Sequence, residues 1–124
     1  MSSNNCCCGG TTILLACSGG SNVGQLTNEA AKKLDTEGVG RFFCLAGVGG
    51  HISGMTASVS GADKVLAIDG CDVVCAKKCL EASGIEEYEH IVLTDLGIDK
   101  NHSFDLADSD IESVSAACRA KLRK

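Results

Sequence analysis

Residues Thr12-Ile13-Leu14-Leu15-Ala16 form an unbroken apolar run, the pattern of a short strand buried on both faces. Cys17-Ser18-Gly19-Gly20-Ser21 interrupts it. Val23, Leu26, Ala30 and Leu34 then recur every three or four positions, which predicts an amphipathic helix. Asn22 and Gln25 stand at capping-box spacing at its start, and Gly38 supplies its stop. The same unit repeats. Gly40-Arg41-Phe42-Phe43 predicts a second short strand ending at Cys44, followed by a Gly-rich stretch with a weak helix over residues 52–60. Lys64-Val65-Leu66-Ala67-Ile68 predicts a third strand, closed by Asp69-Gly70-Cys71. Asp72 as N-cap predicts a helix through Ser83, stopped by Gly84. His90-Ile91-Val92-Leu93-Thr94 predicts a fourth strand. A loop rich in Asp and Lys leads to Ser109, at capping-box spacing from Glu112. The last predicted helix spans residues 110–122, with Ile111, Val114, Cys118 and Leu122 on one face.

Strands alternating with helices predict a parallel sheet joined by right-handed crossovers. The expected fold is a small three-layer α/β domain, flavodoxin-like or Rossmann-like, with a mostly parallel four-stranded sheet in the order 2-1-3-4. Residues 1–11 read as a flexible polar tail carrying Cys6, Cys7 and Cys8, and residues 12–124 as a single domain.

Composition narrows the function. Eleven Lys and Arg against 16 Asp and Glu give a formal charge of −5, with no basic run, so nucleic acid is not an expected partner. The apolar runs reach five residues, whereas a membrane span needs roughly 20, and the start of the chain lacks a signal-peptide pattern. The expected location is the cytoplasm. Three Phe, one Tyr and no Trp leave the core to aliphatic residues. Nine cysteines in a reducing compartment point to metal or redox chemistry.

The spacing of the cysteines sharpens that expectation. Cys17, Cys44 and Cys71 are 27 residues apart, twice over, so each falls just past the carboxyl end of a strand. Adjacent strands lie about 4.8 Å apart, and such strand ends share one edge of an open parallel sheet, where ligands bind. With Asp72 as cap, Cys75 takes the third helical position, beside the loop that holds Cys71. A helix amino terminus favours thiolate. Cys17, Cys44, Cys71 and Cys75 are therefore the candidate metal ligands, a soft donor set suited to zinc, iron–sulfur or copper(I). Nearby glycine amides and Lys77 and Lys78 are candidate partners for the resulting negative charge. Cys118 reads as core and Cys79 as packing. Cys6, Cys7 and Cys8 read as a tail with some capacity for soft metal. His51 reads as a loop histidine, and His90 and His102 carry no signal.

Three segments resemble a known family. They are Cys17-Ser18-Gly19-Gly20-Ser21-Asn22-Val23-Gly24-Gln25-Leu26, the turn Cys44-Leu45-Ala46-Gly47, and residues 67–78 around Asp69-Gly70-Cys71-Asp72-Val73-Val74-Cys75. Together they resemble the DGC-domain family of zinc-binding proteins, over roughly residues 12–100. The family's four characteristic cysteines correspond to Cys17, Cys44, Cys71 and Cys75, so the resemblance implies zinc as cofactor without implying a reaction. Cys79 and the triple-cysteine tail lie outside the family pattern, and Asp72 stands where a proline often follows the triplet.

The leading expectation is a small cytoplasmic protein that holds zinc in a closed four-cysteine site, structural or carrier in role, and not an enzyme. An iron–sulfur or thiol redox protein is the alternative. A third reading is a Cys17-dependent phosphatase or phosphotransferase loop, which places backbone amides around a phosphate. The phosphatase loop needs an Arg six residues after the cysteine, and here that position is Val23. The protein partner is not legible, and the rim of the site and the acidic loop over residues 95–110 are its candidate surfaces.

Overall fold

The computed structural model describes residues 10–123. Four strands, β1 (Thr12–Ala16), β2 (Arg41–Phe42), β3 (Lys64–Asp69) and β4 (Glu89–Val92), form one sheet in the order β2-β1-β3-β4. Every pairing is parallel, with Leu14 opposite both Phe42 and Leu66, and Ile68 opposite Ile91. The helices are α1 (Asn22–Thr36), α2 (Leu45–Gly49), α3 (Ser53–Ser60), α4 (Cys75–Ala82) and α5 (Asp108–Leu122). A 3-10 turn, Leu93–Leu96, follows β4.

The apolar run of β1 is buried because the sheet is covered on both sides. Leu14, Ala16, Leu66 and Ile68 face Leu26, Ala30 and Leu34 of α1 and Val114 and Cys118 of α5. Ile13, Leu15, Val65 and Ala67 face Val48 of α2, Val59 of α3 and Ala76 and Leu80 of α4. Alternation along the strand thus divides the core into two compartments, and the three layers follow.

The boundaries depart from expectation where local chemistry overrides the pattern. The N-cap of α1 is Ser21, whose hydroxyl accepts from the Gly24 amide at 3.1 Å; Asn22, the expected cap, is already helical. Gly38, at φ 79°, ends the helix as expected, with Val39 N–H reaching Leu34 C=O at 2.9 Å. Helix α2 was not foreseen. Asp72 does not cap α4, which begins three residues later at Cys75 behind Val74. Helix α5 starts at Asp108 with Ala107 at its cap and no side-chain cap bond. Glu112, the expected capping partner of Ser109, instead meets Lys33 and Arg119, each at 3.3 Å.

Candidate metal centre at the carboxyl edge of the sheet

Cys17 directly follows β1, Cys44 lies two residues past β2, and Cys71 lies two residues past β3. The strands are neighbours in the sheet, so all three cysteines leave it along one edge. The loop after β1 is held internally. Thr27 gives its hydroxyl hydrogen to Gly24 C=O at 2.6 Å and accepts from the Ser18 amide at 3.0 Å. Its oxygen also lies 3.7 Å from the Cys17 sulfur, which leaves the thiol as donor in that weak contact. The Gln25 amide donates to the Ser18 and Gly19 carbonyls at 3.2 and 2.9 Å. Val23, at the position a phosphatase loop reserves for Arg, is fully buried in the core.

The second half of the site is organised by Asp69, the last residue of β3. Its carboxylate is fully buried and accepts from the amides of Ala76 at 2.7 Å and Lys77 at 3.1 Å, at the start of α4. It also meets His90 Nε2 at 2.8 Å. A strand-end carboxylate therefore does the work expected of Asp72, satisfying two helix amides that have no partner within the helix. The signal in the sequence was a charged residue ending an otherwise apolar buried strand. For His90, spaced 21 residues away, no local signal existed.

Gly70 comes next. A Cβ there would stand 2.8 Å from the Gly24 nitrogen and the Val23 carbonyl carbon, so the turn after β3 rests directly on the first turn of α1. Only glycine permits that approach. Cys71 follows, half-buried against the α1–α5 side of the core, with Lys100 Nζ at 3.5 Å from its sulfur. Lys100 is brought there by a clamp between the first residue of α1 and the loop on either side of Lys100. Asn22 donates its side-chain amide to Asp99 C=O at 2.8 Å, and its side-chain oxygen accepts from Asn101 N–H at 2.6 Å. Lys100, not the expected Lys77 or Lys78, is the cation seen on a candidate sulfur.

Cys75 is exposed, at the first rather than the third position of α4. Cys79, one turn on, is half-buried; desolvation, reinforced by Cys75 and Asp69, raises its pKa. Cys17, Cys44 and Cys79 line one cavity of about 650 Å³ together with Phe42, Phe43 and Leu45; Cys71 and Cys75 are not in its wall. All six described cysteines are free thiols. Among the described residues, no three His, Cys, Asp or Glu side chains are disposed to hold one metal ion. Cys118 is buried in the core, as expected, and its thiol is pushed up to about 12 by desolvation. His51 is exposed with φ 59°, and His102 stacks edge-on with Phe104 at 6.2 Å. Cys6, Cys7 and Cys8 lie outside the described residues. No described helix is long and apolar enough to cross a membrane.

The DGC domain family matches residues 13–118, nearly the whole described chain and all three segments of the site. The chain belongs to the DGC domain family. It is also 35% identical over 99 residues to the anaerobic and virulence modulator AnvM of Pseudomonas aeruginosa, covering 80% of this chain and 76% of that protein. No solved structure matches. In this DGC domain the naming triplet has a physical reading, one task per residue. Asp69 caps α4 and ties it to β4, Gly70 lets two backbones touch, and Cys71 presents a sulfur beside Lys100.

Proposed function

We propose that this DGC domain is a small cysteine-rich protein that holds one zinc ion through Cys17, Cys44, Cys71 and Cys75, in a structural or carrier role within the reducing cytoplasm. The observation that carries the reading is the exit of Cys17, Cys44 and Cys71 from three adjacent parallel strands along one edge. Thiolates are soft donors, and four of them close the tetrahedral shell of zinc, leaving no position for a hydrolytic water. The Lys100 ammonium beside Cys71 offsets part of the charge that four thiolates bring. As they stand, the four side chains do not encircle an ion. Cys44 and Cys75 are exposed, and turning them inward is the movement that binding asks of the protein.

Metal analysis of protein purified without added metal tests the reading. One zinc per chain is expected, falling away in Cys44→Ser and in Cys71→Ser, with a lower Tm after chelation. Undiminished zinc in both variants refutes the assignment of ligands. Visible absorbance with iron in its place favours the iron–sulfur alternative.

A further inference from the structure

The cavity at the ends of β1 and β2, between α2 and α4, does not coincide with the sulfur set proposed for zinc. Three thiols line it, from Cys17, Cys44 and Cys79, and the rest of its wall is largely apolar, with Phe42, Phe43 and Leu45 prominent. No Asp, Glu, Lys, Arg or His side chain lines it. Its volume, about 650 Å³, lies within the usual range for small-molecule pockets. Gly49 keeps the third sulfur accessible, because a Cβ there would stand 3.1 Å from Cys79 Sγ. These features select a ligand with an apolar body and a thiol-seeking atom, larger than a bare ion and without charge.

We propose that this cavity is a binding site for a neutral organoarsenic(III) thiophile, its hydrocarbon group against Phe42, Phe43 and Leu45 and its arsenic bonded to Cys79 and to one of Cys17 and Cys44. The chemistry is a condensation. Two As–O bonds of R–As(OH)₂ break and two As–S bonds form. Each thiol proton leaves with a hydroxide as water, and neither arsenic nor sulfur changes oxidation state. The reaction consumes protonated thiols, and burial, the largest cause, raises the pKa of Cys79. An enone or quinone bonds a single thiol and makes no use of a second one in the same wall.

The test uses the full chain, reduced and treated with chelator, with phenylarsine oxide (phenylarsonous acid in water) and methylarsonous acid as probes. Peptide mapping after alkylation should find Cys79 and one of Cys17 and Cys44 shielded by the phenyl compound, with Cys71 and Cys75 open. The phenyl compound should bind roughly tenfold tighter than the methyl compound, because its ring is removed from water. Cys79→Ala should abolish the shielding of Cys17 and Cys44. Shielding confined to Cys71 and Cys75, or to Cys6, Cys7 and Cys8, overturns the proposal, as does equal affinity for the two probes. The mapping and the comparison of probes need no variant, so they stand even where Cys79→Ala misfolds. Zinc is measured on a separate untreated sample, and its absence there would remove the metal reading without touching this one.

Discussion

Val74 sits at φ 50° and ψ 53°, left-handed backbone that a β-branched residue rarely adopts. It is held there by its neighbours. Its own N–H reaches Cys71 C=O at 3.1 Å, and the two residues after Cys75 are fastened by the Asp69 carboxylate. The short turn between Cys71 and Cys75 is therefore wound against local preference, a kind of strain that gathers at binding sites. Val74→Gly should relieve it and raise the unfolding free energy by about 0.5–1 kcal/mol, the gain being reduced by glycine's greater freedom in the unfolded chain. Urea denaturation of the two proteins measures this, and a destabilised variant would show that the Val74 side chain contributes more through packing than its backbone costs.

Among the elements, α5 carries the clearest pH dependence. Cys118 lies in the core, and desolvation raises its thiol from 9.0 to about 12 in the folded protein. A raised folded-state value means that the neutral thiol's contribution is complete below pH 9. It is lost as pH climbs toward 12, because the unfolded chain releases its proton first. Stability should fall across that interval, and Cys118→Val should flatten part of the fall; parallel curves for the two proteins would refute this. The contact of Arg119 with Glu37 at 2.9 Å and that of Lys33 with Glu112 at 3.3 Å join α5 to α1 and involve partly exposed groups, and surface pairs of this kind contribute little. The elements also show what a pattern can carry. Helix α1 was legible because burial imposes a period on many residues, and β1 and β3 because burial on both faces leaves a continuous apolar run. Helix α2 was not, since its five residues Leu45–Gly49 include two glycines and are too few to display a stripe. The start of α4 was misplaced because its cap comes from β3 in three dimensions, not from the residue before it.

At the scale of the whole molecule, the parallel sheet and the shared edge were readable from the alternation of strands and helices and the regular spacing of Cys17, Cys44 and Cys71, while the strand order came by analogy with flavodoxin-like folds. The arrangement of the sulfurs was not, because rotamers and loop paths decide it. Cys79 joins the cavity through the packing of α4 on α2, and Lys100 reaches Cys71 from a segment that Asn22 anchors nearly eighty residues away. Asn22→Ala removes two of the three bonds in that clamp, leaving the Asn22 N–H to Asn101 C=O at 3.0 Å. It should cost about 1–2 kcal/mol and speed limited proteolysis between residues 97 and 107. An unaltered cleavage rate would show that the loop is fixed by other means. The contact of Gly70 with the first turn of α1 has a different consequence. Since main chain meets main chain there with nothing between, no side chain intervenes at that point between the turn that carries Cys71 and the helix that follows the Cys17 loop. Any side chain at position 70 would act as a wedge and spread the two cysteine-bearing loops.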